Sequence, residues 1–198
     1  MRRALVGVAL LVLLLGTSQL SWAAEEEETA GEETAEASDA SENLVVFSKE
    51  RRSPETRADK ALVVVVRPAK IGFAIKSFFL VDEEPLGINK GKSYFFAHVE
   101  PGSHVFWSKS ENVDALELAV EAGKTYYFQQ HVQVGALKAR TKLETLSEEE
   151  GRRLMEKCSR YATMTDRGRA RGVEIAKEHK DSTQKDLERR AKKAAEGS

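Results

Sequence analysis

The chain has 198 residues, which allows one domain or two small ones, and a single cysteine, Cys158, which excludes an intramolecular disulfide framework. A formal net charge of −1 conceals an asymmetry along the chain. Residues 25–42 carry nine acids and no base, whereas residues 152–198 hold fourteen bases against eight acids.

The first 23 residues read as a secretory signal peptide. Arg2 and Arg3 make a basic start, and residues 4–16 are an apolar run well short of the roughly 20 residues that span a bilayer. Ser21-Trp22-Ala23 places small residues at the two positions a signal peptidase reads. Cleavage after Ala23 by the general secretory route is expected, giving a periplasmic or secreted protein without a transmembrane span. No cysteine stands at the cleavage point to carry a lipid. Residues 24–59 read as an acidic, largely disordered linker, since 24–43 holds nothing aromatic and too little apolar surface to offset the entropy of ordering. Within it, Leu44 to Phe47 is a short apolar patch with the character of an edge strand.

The globular domain is expected from Lys60 to Cys158. Its apolar residues alternate with period two and are broken every eight to twelve residues by turn signals, the pattern of a small sandwich. Residues 61–66, ALVVVV, form a continuous β-branched run and predict a central strand covered on both faces. Strands follow at 77–82, in the Pro85- and Gly87-containing segment 83–89, at 92–99, 103–110 and 114–120, and at 125–134 and 140–146. Leu116, Leu118 and Val120 are expected to face inward, as are Tyr126, Phe128, Val132 and Val134. The expected fold is mainly β: an antiparallel sandwich of seven to eight strands followed by a short helix and a charged C-terminal helix.

Ser147-Glu148-Glu149-Glu150 has the spacing of a capping box and predicts a helix running to about Cys158. Residues 159–198 read as a charged, basic tail, helical or disordered. Asp181 and Lys185, Asp186 and Arg190, and Glu188 and Lys192 pair at helical spacing, yet few apolar residues follow Ile175, so the helix is expected to be solvated.

Four segments, ALVVVVRP at 61–68, KSYFFAHVEPGSH at 92–104, EAGKTYYF at 121–128 and KLETLSEEEGRRLM at 142–155, occur in this order. Over residues 61 to about 157 the chain resembles a bacterial domain of unknown function, family 2846 (DUF2846-type), found in exported proteins and lipoproteins. The resemblance implies a small antiparallel β-sandwich outside the cytoplasm, with no established activity to carry over. This chain lacks the N-terminal cysteine of the lipoprotein members.

FAHVEPGSHVFW at 96–107 places a histidine on either side of a Pro-Gly pair, which reads as a hairpin with a four-residue loop, Glu100 to Ser103. That register sends His98 and His104 to opposite faces, so they form no shared metal site. His131 falls on the outward face of its strand. A small-ligand or metal carrier using His98, His104 and His131 is the alternative reading, and no cofactor is implied. No nucleophile elbow, zinc-protease motif or phosphate loop is present, and the adjacent carboxylates sit in solvated runs, so an enzyme is not expected.

The expected function is a non-enzymatic binding or scaffold module of the cell envelope. Its partner would be an envelope protein or cell-surface component rather than nucleic acid, with weak self-association as a further option. Candidate contact residues are Trp107, Tyr127 and His131 on the sandwich, and Arg167, Arg169 and Arg171 in DRGRARG, whose guanidinium groups suit anionic headgroups or an acidic surface.

Overall fold

A computed structural model describes residues 44–134 and 139–196. The expected signal peptide and the acidic residues 24–43 lie outside the described residues. Among those described, ten strands and two helices follow in the order β1 (Val45–Ser48), β2 (Ala61–Arg67), β3 (Ser77–Val81), β4 (Glu84–Asn89), β5 (Ser93–Val99) and β6 (Gly102–Lys109). Then come β7 (Val113–Val120), β8 (Thr125–Val134), β9 (Ala139–Leu146), α1 (Glu148–Glu156), β10 (Arg160–Met164) and α2 (Asp166–Glu196). They build the expected sandwich with C-terminal helices. A six-stranded sheet has the order β1-β10-β5-β2-β8-β9 and a four-stranded sheet the order β4-β3-β6-β7. Two pairings, β2 with β8 and β10 with β5, are parallel.

The β-branched run of β2 lies centrally between β5 and β8, and every one of its residues is buried. Its two faces have different covers. On the inner side Phe95 meets Phe79, and Phe128 meets Phe79 and Phe106, of the other sheet, with ring centroids 4.8 to 6.1 Å apart. On the outer side Val64 and Val66 stand level with Tyr127, Phe96 and Tyr94, and α1 lies over β2 and β8. Helix α1 comes this close because one of its two buried positions is Gly151, where a Cβ would overlap the Tyr127 ring. Ser147 caps the helix by accepting from the Glu150 N–H at 3.2 Å, while the Glu150 carboxylate takes Arg153.

Three local expectations differ from the structure. The stretch 96–107 is not a hairpin: β5 belongs to the six-stranded sheet and β6 to the four-stranded one, so Glu100 and Pro101 carry the chain across the sandwich. The fold begins before Lys60. β1 pairs with β10, and residues 49–59 return over the outer face, where Arg52 exchanges backbone hydrogen bonds with the Tyr94 hydroxyl and the Glu55 carbonyl meets His98. The fold also continues beyond Cys158, because β10 inserts between β1 and β5 and α2 packs on β3, β4 and β7.

Helix α2 is not solvated along its length. Ile175 and Ala176 are buried, Gly172 lies against Pro85, and the carboxylate of Asp186 accepts from the Ala115 N–H at 2.8 Å. Nearby, Asp114 accepts from the Leu143 N–H and from Arg190, and Asn112 bonds both backbone groups of Thr141. These side chains do for the outer strands β7 and β9 what a further strand would do, satisfying backbone groups that otherwise invite edge pairing.

Candidate functional site

The sequence candidates do not converge. Trp107 is 2% exposed and donates from Nε1 to the Asp82 carbonyl at 2.7 Å, and Tyr127, also 2% exposed, lies beneath α1. Both are core residues, which corrects their reading as contact residues. The alternation that marks a surface stripe on one face of β8 also marks a second buried layer once a helix covers that face. Arg171 is engaged by Glu174 and Glu178, Arg169 stands 3.9 Å from Glu84, and Arg167 is exposed. The arginines of DRGRARG are therefore no concentrated anion site, since acids of α2 and β4 offset two of the three.

The histidines are equally dispersed. His98 Nε2 meets the Glu55 carbonyl at 2.9 Å, and His131 Nε2 meets Glu144 at 2.8 Å. Among the described residues no group of three His, Cys, Asp or Glu could hold a metal ion. His104 is different in kind. Its Nδ1 faces the Asp82 carboxylate at 2.7 Å and its Nε2 the Glu100 carbonyl at 2.9 Å, so both ring nitrogens face acceptors. Burial pushes the imidazole pKa down, but the hydrogen bonds to Asp82 and Glu100 and the charges of both acids outweigh it and raise it above 6.5. In its protonated form the imidazole thus clamps the sheet-to-sheet crossing to the β3–β4 turn.

A raised folded-state pKa gives a stabilisation fully present below 6.5 and lost as pH rises through the folded value. In thermal unfolding across this window the native chain is expected to lose stability that His104→Gln lacks at every pH. Parallel curves for the two proteins would remove the clamp.

The strands sort charge between the two ends of the sandwich. At the end where β3 meets β4 and β5 crosses to β6, the turns carry Asp82, Glu83, Glu84, Glu100 and Glu121, and Ser147 leads into Glu148, Glu149 and Glu150. The cations there are spent on these acids: Lys60 on Glu100, Lys124 on Glu121, Lys180 on Glu83, Arg152 on Glu148 and Arg153 on Glu150. At the other end Arg67, Ser93 and Arg160 stand side by side in the sheet, and the adjoining segments bring Lys49, Lys70, Lys90, Lys92 and Lys157. Only Glu50, Glu111 and Glu156 oppose them in these segments.

The loop joining β2 to β3, residues 68–76, crowns this basic end. Its turn exposes Ile71 at 66% and Phe73 at 44%, two of the few large apolar side chains left in water among the described residues. The loop is fixed from beneath. Arg67, wholly buried, donates to the Gly72 carbonyl and the Ile75 carbonyl, each at 2.6 Å, and reaches Ser77 at 3.2 Å. These partners are neutral, and burial lowers the arginine pKa to about 10. Gly91 supports the loop from the side: its N–H donates to the Phe73 carbonyl, and a Cβ there would lie 2.9 Å from the Ala69 carbonyl oxygen. Arg160 completes the cluster, its guanidinium 4.5 Å from the Phe73 ring centroid and 4.4 Å from that of Phe47, with Nη2 donating to the Gly91 carbonyl.

Sequence reasoning passed over Ile71, Phe73, Arg67 and Arg160. The available signal was a pair of large apolar residues flanking Gly72 between Lys70 and Lys76, in a segment with too little room for a strand of its own. Their joint position with Arg160 depends on β10, whose place in the sheet no local pattern announces. The remaining surface feature, an open depression near Leu116, Lys142, Glu144 and Arg190, has its charges paired, Lys142 with Glu144 and Arg190 with Asp114.

Among the described residues no helix is long and apolar enough to cross a membrane. Comparison with known proteins bears out the family resemblance: residues 57–142 match the model of a family described as protein of unknown function (DUF2846). An uncharacterised protein of Haemophilus influenzae is 29% identical over 160 residues, an alignment covering 80% of this chain and 82% of that protein.

Proposed function

We propose that the chain is an exported, non-enzymatic binding module of the cell envelope, and that its recognition surface is the basic end of the sandwich. The observation that carries this is the pair Ile71 and Phe73, held in water on a turn braced by buried Arg67. Leaving two large apolar groups solvated forgoes about 1.5 to 3 kcal/mol each if burial were available, and a rigid scaffold beneath them removes the ordering cost of docking. The absence of catalytic chemistry in this reading is supported by the engagement of His98, His104 and His131 and by Cys158, whose thiol burial pushes up to about 11.

Immobilised protein spanning residues 24–198, which contains every described residue, should retain a component of the envelope fraction. The double substitution Ile71→Ser/Phe73→Ser is expected to reduce retention about tenfold or more. Its melting temperature should stay near that of the native chain, because both side chains are exposed. Equal retention by both proteins would place recognition elsewhere.

A further inference from the structure

Resting on that reading of the basic end, we infer that its partner is a bilayer surface rich in anionic phospholipid, into which Ile71 and Phe73 enter to interfacial depth while the surrounding cations meet headgroup phosphates. The shape favours this occupant. The two apolar side chains project from a turn rather than line a cleft, and the cations are spread over several separate segments around them: Lys49 after β1, Lys70 in the loop, Lys90 and Lys92 before β5, and Lys157 before β10. An exposed apolar turn at an end of the sandwich where these five lysines outnumber Glu50, Glu111 and Glu156 matches a plane of phosphates over acyl chains, and the two attractions act together at such a surface.

The backbone of the tip suits entry as well. Polar backbone groups resist leaving water unless they are already bonded. In this loop the Gly72 carbonyl accepts from Arg67 and from the Ile75 N–H at 2.9 Å, and the Phe73 carbonyl accepts from the Gly91 N–H at 3.2 Å. Arg160 holds its guanidinium carbon 4.5 Å from the Phe73 ring centroid and 4.4 Å from that of Phe47, so a phosphate approaching the tip meets cation and ring together.

The basic end sets orientation. At the far ends of the strands Asp82, Glu83, Glu84, Glu100 and Glu121 each face a cation, His104, Lys180, Arg169, Lys60 and Lys124 in turn, so an anionic plane attracts the basic end and finds no comparable excess of cations at the other. The domain should stand on the surface with its strands steeply inclined and its basic end down.

Cosedimentation with vesicles tests this, using residues 24–198 with phosphatidylcholine alone and with phosphatidylcholine containing phosphatidylglycerol. Binding is expected only to the anionic vesicles, weakening in high salt. Ile71→Ser/Phe73→Ser should lower the partition coefficient about tenfold or more, and Lys70→Glu should lower it several-fold with the apolar tip intact. Tryptophan emission and melting temperature confirm that each variant is folded.

No binding to anionic vesicles, or equal binding by the native chain and the double variant, overturns the inference. If vesicles fail while a lipid-free envelope protein extract is still retained through Ile71 and Phe73, the partner is a protein and only the lipid assignment falls. If that extract also fails, the binding reading falls with it. Retention of the anionic vesicles by the native chain and their release by either variant supports both.

Discussion

A chain ending at Cys158 is expected not to fold. Its sequence suggests a dispensable charged tail beyond that point, yet the structure threads β10 between β1 and β5, so its loss leaves β1 without its only strand partner among the described residues and opens the edge of β5. Truncation also removes Tyr161 and Ile175 from the core, each worth about 1.5 to 3 kcal/mol of burial, and strips α2 from β3, β4 and β7. Against a typical domain stability of about 5 to 15 kcal/mol these losses leave little or nothing. Circular dichroism of residues 24–158 should show no cooperative thermal transition, where residues 24–198 show one. A cooperative transition in the shorter chain would mean that β10 and α2 decorate the sandwich rather than complete it.

The second large effect is expected at Asp186. Its side chain is 3% exposed, a rare setting for a carboxylate, and it is held there by the Ala115 N–H, by Arg189 and by Arg190 at 3.7 Å. Replacement by alanine leaves a backbone N–H of the outer strand β7 without its acceptor beneath the helix, removes the partner of Arg189 and takes one of two carboxylates from Arg190, which keeps Asp114. Both arginines reach solvent, which moderates the charge component. The expected destabilisation is about 2 to 3 kcal/mol. In a domain of this size that corresponds to roughly 4 to 12 °C in melting temperature. Asp186→Asn keeps an acceptor for Ala115 and should lose about half as much. Asp181→Ala, at an exposed position of the same helix, gives the comparison: if Asp186→Ala falls no further than it does, the docking described for α2 is unimportant.

What could be read from sequence, and what could not, divides by range. The β2 run, the alternation of β8 and the Ser147 cap were legible because each is written in adjacent residues: β-branching, period two, a hydroxyl three residues before an acid. The crossing at Glu100 and Pro101 was misread as a hairpin because the same turn chemistry serves a strand that stays in its sheet and one that leaves it. Which occurs is decided by β2 and β3, the distant strands that claim β5 and β6.

Strand β10, RYATM, is short and weakly alternating, and its partners are Phe47 and Tyr94, far back in the chain. Helix α2 read as solvated because it docks through Gly172, Ala176, Thr183 and Asp186, residues that carry little hydropathy. The candidate site was missed for a related reason. Ile71 and Phe73 are ordinary loop residues until buried Arg67 and the stacked Arg160 fix them at an end of the sandwich where the cations gather. The charge polarity evident along the sequence is real, but the charge that bears on recognition is the gathering of Lys70, Lys90 and Lys92 at one end of the folded domain.

The central claim, that recognition occurs at the basic end, is tested most directly by local environment. Cys158 is buried with its thiol pKa pushed up to about 11, so a cysteine introduced elsewhere on the surface should label selectively. An environment-sensitive fluorophore on Ile71→Cys and, in a separate protein, on Glu121→Cys at the acidic end would each be mixed with the envelope fraction. The account predicts a blue shift at position 71 and none at position 121. A shift at position 121 with silence at position 71, or silence at both, would contradict it.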